Sequence, residues 1–563
     1  MKLKLLPRRG AAALCILLTS CAAGPLGALG APADIDPTYG AYLAARYADN
    51  TGDMAAAAHY YRLALHGQPD SPVLISEGFM AGLLAGDSGT AALASRLPGN
   101  PLATMMLGNK AAQAGHFTQA QQYFAALPQD ELIGLIRPLL MAWAQFGQGN
   151  EQAALNGLGN YFNSPAFGSV YVLNAALIAD AAGDTASAAK LYGAVDGSQP
   201  NLRLAQILAS WDTRQGQNGA AMAELSALVA AHPDLSIALP ALQSQLDKPV
   251  IFTPAQGMAE AYLTLAGSLS QPQAAILRTA FLRFALELRP DLTAARLLLA
   301  DTQTGADTPD ATPSKVQVQN ALDTLAPVKK NDALYAPAAM QQASLLASAG
   351  RTDDAVALLK GLLAEAPNDP GLLSNIADTL REGSDYAAAL PYYNKAIEAL
   401  GPTPPEAAWV LYFDRGICHD QMGNWNLAEP DMLTALKLSP NQPYVLNYLA
   451  YSWAVHGQNL QKAQTMLAQA VALDPNDGAV IDSLGYVEMK LGNTQKALNL
   501  LTQAVHLSPD DPEVNGHLGD AFWQAGMPLQ AAYQWARALS LHPSPKQEAA
   551  LKAKIDQHFG TQP

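Results

Sequence analysis

The sequence predicts an all-α chain, a solenoid of stacked helix–turn–helix units. Its last third repeats every 34 residues: Gly485 recurs as Gly519, Gly492 as Gly526, Ala497 as Ala531, Ala504 as Ala538 and Pro509 as Pro543. Small residues, a mid-repeat glycine and a closing proline at one period are what stacked helix pairs require. No strand-like alternation of any length appears along the chain.

One unit, Gly478 to Asp511, shows the physics. Its first helix, AVIDSLGYVEMKL, stops at Gly492, which takes the left-handed C-cap conformation without penalty. Asn493 or Thr494 then caps the second helix, QKALNLLTQAVHL, and Pro509 forbids its continuation. Gly485, Ala497 and Ala504 sit where helices cross closely, and larger side chains would hold the backbones apart. The same frame fits Trp409 to Gln442 through Gly416, Gly423, Ala428 and Ala435. It fits Pro443 to Asp477, with one extra residue, through Ala450, Gly457, Ala463 and Ala470. It also fits Ala336 to Asp369 and, around Ala377, Ala389, Tyr393 and Ala396, the unit before GPTPPE. Pro512 to Pro545 closes the run. The terminal PKQEAALKAKIDQHF is a charged amphipathic helix suited to cap the open end.

These residues resemble the tetratricopeptide repeat (TPR) family, strongly over 336–545 and again at 38–71 through Ala45, Gly52, Ala57, Tyr61, Ala64 and Pro69. From 72 to 300 the match is patchier: Gly108, Gly115, Ala120 and Phe124 mark one unit, Ala176, Gly183, Ala188 and Tyr192 another, and several second helices look shortened. The resemblance implies a right-handed α-solenoid of TPR repeats. The resulting division is 1–20 signal peptide, 21–37 flexible tether, 38–300 divergent helical array, 301–320 loop or linker, 321–545 regular array, and 546–563 capping helix and tail. The linker rests on DTQTGADTPDATPSK, whose Pro, Gly, Thr and Asp break every helical period.

The first residues, MKLKLLPRRG AAALCILLTS C, place Lys2, Lys4, Arg8 and Arg9 before a short apolar run, as in a secretory signal. Leu18-Thr19-Ser20-Cys21 resembles a bacterial lipobox, which implies a lipid on Cys21 and, because Ala22 is not Asp, an outer-membrane lipoprotein facing the periplasm. Ordinary cleavage near Ala31-Pro32-Ala33 would instead give a soluble periplasmic protein. The two other cysteines are Cys15, within the signal, and Cys418, expected to be a small buried hydrophobe inside a repeat helix.

With 48 acidic against 33 basic residues and a net charge of −15, the chain is a poor candidate for nucleic acid. No phosphate loop, HExxH or GxSxG motif occurs. Ser187 and Lys190 satisfy SxxK without its companion motifs and fall within a repeat helix. Asp49 to Asp53 is read as a glycine turn with an Asp cap in preference to a calcium loop. No catalytic residue, metal ligand or cofactor is predicted. An enzymatic reading would need a cluster hidden in 240–335, where Asp247, Glu260 and Asp301 show no paired spacing.

In the TPR family the first helix of each unit lines the concave face. By that frame the groove holds Phe413 and Asp414, then Tyr444, Asn447, Tyr448 and Tyr451, then Asp482 and Tyr486, and finally His517, Asp520 and Trp523. This is an aromatic strip edged with carboxylates and an amide, unless the rings are partly buried between helices. A subclass that clamps the C-terminal carboxylate of chaperones uses Lys, Arg and Asn at these positions. Here these positions hold Asp, Tyr and His, and the carboxylates would repel such a terminus. The expectation is a non-enzymatic scaffold that binds extended peptides or partner proteins of the envelope. A carbohydrate-binding scaffold for exopolysaccharide export is the alternative.

Overall fold

The structure, a computed structural model, describes residues 37–129, 131–195, 201–269, 271–305 and 312–560. The expected signal peptide, Cys21 and the expected tether up to residue 36 lie outside them. Every regular element among the described residues is helical: thirty α-helices and three short 3-10 turns, without strands. The described residues form two compact units, one up to Leu97 and one from Pro98 onward.

In the first unit the helices Pro37–Asn50 and Met54–Gly67 form one repeat. Ala45, Ala57, Tyr61 and Ala64, placed in frame by the sequence, are all fully buried. Gly52 makes the turn at φ +79°. Asp53 then caps the second helix by accepting the Ala56 N–H at 2.9 Å, so the calcium-loop lookalike is a helix cap.

In the second unit the regular repeats fold as their spacing requires. Gly423, Gly492 and Gly526 each adopt positive φ at the turn. A Cβ on Gly485 would lie 2.6 Å from Leu501 Cγ, and Ala497 and Ala504 are fully buried, so close approach does fix residue size there. Cys418 is fully buried, and burial raises its thiol to about 12. At the turns between the two helices of a unit, the caps differ. Asp184 and Asp385 accept from the backbone, whereas Asn424 and Asn493 do not. Asn493 instead donates to Glu488 Oε2 at 2.7 Å.

The segment expected as a linker differs. Thr293–Thr304 and Lys315–Leu325 are helices that reach into 301–320 and pack on one another. Ala300, Val318, Ala321, Leu325, Ala338 and Leu345 share one core cluster. The Pro/Gly/Thr-rich run thus begins within the first of these helices and ends at the start of the second, and its residues 306–311 lie outside the described set.

The divergent stretch has shortened second helices, of 9, 9 and 8 residues at Phe117–Ala125, Glu151–Gly159 and Thr185–Tyr192. The regular second helices at Trp425–Leu438 and Thr494–Leu507 have 14. The Pro254–Ser268 helix packs across the first helices of three preceding units, Pro101–Gln113, Glu131–Gly147 and Gly168–Ala182. Gly257 lies against Trp143, where a Cβ would meet the indole at 2.4 Å. Tyr262 donates to Asn109 Oδ1 at 3.1 Å, and Trp143 Nε1 to Asn174 Oδ1 at 2.9 Å. Glu260, wholly buried, receives two hydrogen bonds from Arg203 Nε and one from Nη2 at 2.7–2.9 Å. Here the chain covers the inner row of helices itself.

Candidate functional site

The groove residues lie on four first helices: Trp409–Gln421, Pro443–Val455, Gly478–Lys490 and Pro512–Gln524. Each packs on its own second helix, and Gly478–Lys490 also packs on the first helices before and after it. That stacking sets the side chains in a row.

The predicted residues separate into three groups. Phe413 and Asp414 are withdrawn from the groove. Phe413 joins the core with Ile417 and packs edge-on against Tyr448 at 5.8 Å. Asp414, 2% exposed, lies 3.5 Å from Arg381 of the preceding unit. Arg381 also donates to the Tyr393 hydroxyl, which donates to Asp378 at 2.6 Å. Burial raises the Asp414 carboxyl to about 7 against the pull of Arg381, and Asp378 and Glu382 add to the rise. The frame places a side chain on a face but does not reveal a cation arriving from the next helix.

Asp520 and Trp523 are engaged by the terminal helix, Pro545–Phe559. Lys554 Nζ lies 2.7 Å from both Asp520 oxygens, and Trp535 Nε1 donates to Asp520 at 2.9 Å. His558 stacks on Trp523 with centroids 3.9 Å apart, which leaves the indole 37% exposed. The capping helix therefore occupies part of the predicted groove.

Of the remaining residues, Tyr451, Asp482, Tyr486 and His517 come together. Tyr451 and Tyr486 rings are 5.4 Å apart, and Tyr486 and His517 are 4.6 Å apart. Asp482, 5% exposed, accepts from His517 Nδ1 at 2.8 Å, while its Oδ1 is buried without a partner. Burial raises the Asp482 carboxyl, opposed by His517. Burial alone would lower the His517 imidazole, but the charge and hydrogen bond of Asp482 outweigh it and raise it. Tyr448 donates to Asp420 Oδ2 at 2.8 Å. Tyr451 donates to Glu513 Oε1 at 2.7 Å. Burial and these carboxylates push both hydroxyls above the usual tyrosine value, which keeps them protonated donors. Asn447 Oδ1 is buried without a partner, and Tyr444 is 42% exposed.

Glu513 was missing from the predicted set although it holds the second position of its unit, the position that named Tyr444. Of the enzymatic candidates, Glu260 is consumed by Arg203, and Asp301 accepts from Gln341 Nε2 at 2.6 Å. Ser187 and Lys190 lie on Thr185–Tyr192, where the Ser187 backbone serves the Asp184 cap. A cavity of about 610 Å³ opens elsewhere in this unit, among Leu173, Ile207, Leu263 and Leu297, with Arg203 and Asp301 also in its lining. Among the described residues no helix is long and apolar enough to cross a membrane.

Residues 340–406 and 483–546 match the model of the tetratricopeptide repeat. A TPR repeat-containing protein of Pseudomonas aeruginosa is 29% identical over 174 residues, 31% of this chain, and the match spans only 28% of that relative's length. Among solved structures, the APC/C hetero-tetramer Cut9–Hcn1 aligns over 92% of this chain and 96% of that chain, at 14% identity and a TM-score of 0.37. A tetratricopeptide repeat protein from Parabacteroides merdae aligns over 46% of this chain and 97% of that chain, at 14% identity and a TM-score of 0.36. These two stretches carry TPR repeats, and proteins built of such repeats generally act as protein-interaction scaffolds.

Proposed function

We propose that this protein is a non-enzymatic scaffold of the bacterial envelope that holds an extended segment of a partner protein in the groove of residues 409–524. Lipid on Cys21 would tie it to the outer membrane, with the repeats facing the periplasm. The observation that carries the groove reading is the row Tyr444, Asn447, Tyr451, Asp482, Tyr486 and Glu513. It runs over three successive first helices, and no described helix from a distant unit packs closely across it. Rings supply contact area at low entropy cost, and the exposed Glu513 carboxylate can receive backbone N–H groups.

The test is capture from envelope extracts by the tagged chain, with co-purifying proteins identified, for wild type and Tyr444→Ala. Tyr444 is the most exposed ring of the row, so its loss separates binding from folding. A partner retained by wild type and lost by the variant supports the reading. Equal capture by both moves the binding surface elsewhere, and retention of glycan alone would turn the reading to carbohydrate. Anchoring has its own check: Cys21→Ser should release the protein from membranes, and a mature N-terminus at Asp34 would defeat it.

A further inference from the structure

We infer that the segment held in this groove is basic, with lysine or arginine side chains facing the first helices; the inference rests on the groove reading above. The carboxylates on and beside the first helices of residues 409–524 are not all neutralised alike. Several meet a cation of the chain itself, among them Asp414 with Arg381, Asp431 with Arg415 at 2.6 Å, Glu488 with Lys496 at 2.5 Å, Asp510 with Arg537 at 3.1 Å, and Asp520 with Lys554. Asp420, Asp482 and Glu513 have no lysine or arginine partner among the described residues. Asp420 and Glu513 receive tyrosine hydroxyls, with a longer contact from Gln547 to Glu513 at 3.4 Å, and Asp482 receives His517.

These three lie on the first helices of units in one continuous stack, with Asn447 on the helix between. The second oxygen of Asp482 and the amide oxygen of Asn447 hold equivalent repeat positions. Both are buried and unpartnered. Tyr448 and Tyr451 spend their protons on the carboxylates, so the row presents acceptors and negative charge in excess of donors. Such a face is complementary to ammonium and guanidinium groups, which donate without accepting. The chain supplies two internal examples: Lys490 Nζ sits 5.0 Å from the Tyr486 centroid, and Lys554 seats on Asp520.

The experiment uses the full chain and three fluorescent nonapeptides alternating alanine with lysine, glutamine or glutamate, read by anisotropy at low and high salt. The lysine peptide should bind at least tenfold tighter than the glutamine peptide, with the difference shrinking as salt rises. Asp420→Asn with Glu513→Gln should remove most of that preference. Asp353→Asn with Asp354→Asn changes net charge equally at an exposed helix start outside the groove and should leave the preference intact. Glutamine or glutamate peptides binding as tightly as lysine would overturn the charge assignment while leaving the groove. An equal loss in both double variants would also overturn it, because the attraction would then belong to the chain's overall charge. No binding by any peptide would remove the groove and the assignment together.

Discussion

The inner row of helices meets opposite fates in two stretches of the same unit. Between 101 and 182 it is covered by the chain's own Pro254–Ser268 helix, through Gly257 against Trp143 and Tyr262 on Asn109, while Arg203 of the following helix pair holds Glu260 of the same covering helix. Between 443 and 524 the corresponding helices keep Tyr444 exposed and leave oxygens of Asn447 and Asp482 unpaired. Repeat architecture alone therefore does not make a groove. A concave face becomes available for binding only where no other element of the fold is apolar enough, and close enough, to fill it.

The sharpest way to break this contrast is to attack the filled face. Glu260→Ala leaves Arg203 without its buried counter-charge and should cost about 3–5 kcal/mol. Urea denaturation of the full chain checks it. A loss below about 1 kcal/mol would mean that the covering helix is not held by this pair. Within the regular block, Ala504→Leu should overpack a helix crossing and cost about 1–3 kcal/mol, because Ala504 is fully buried beside Ile481 and Val514. An unchanged midpoint would show that the crossing can expand.

A pH series sharpens the contrast from the open side. The Asp414 carboxyl is raised from its ordinary 3.8 to about 7, so the folded state binds its proton more tightly than the unfolded state. Its contribution to stability is present below pH 3.8 and is lost as pH climbs through 7. His517 is raised above 6.5, and its contribution is likewise lost on the alkaline side. Glu488, lowered from 4.5, acts oppositely on the acid side. Between pH 5 and 7 stability should therefore fall, by roughly 1 kcal/mol per pH unit. Urea midpoints at pH 5, 6, 7 and 8 measure it, and Asp414→Asn should flatten the slope. The smallest stability effect belongs to Tyr444→Ala, within about 0.5 kcal/mol as for an exposed position. A large loss would show that this ring belongs to the core.

Much of the fold was legible along the chain because a helix pair is specified locally. Gly492 and Gly526 give the turns, Pro509 and Pro543 the stops, and Gly485 and Ala504 the crossings. The short second helices of the divergent stretch were also visible. The covering role of Pro254–Ser268 was not, since Tyr262 and Asn109 lie 153 residues apart. The available sign was a helix almost without a polar face, in which nine residues prove buried.

The sequence by itself determined the all-α class, the repeat frame and the row in which groove candidates would stand, since each follows from periodicity within 34 residues. Only the tertiary structure decided which of them stay available. Arg381 reaches Asp414 from another unit, Lys554 and His558 reach Asp520 and Trp523 from the capping helix, and Phe413 turns into the core. Long side chains choose partners across helices by distance and burial, and neither quantity is written in the spacing of residues along one helix.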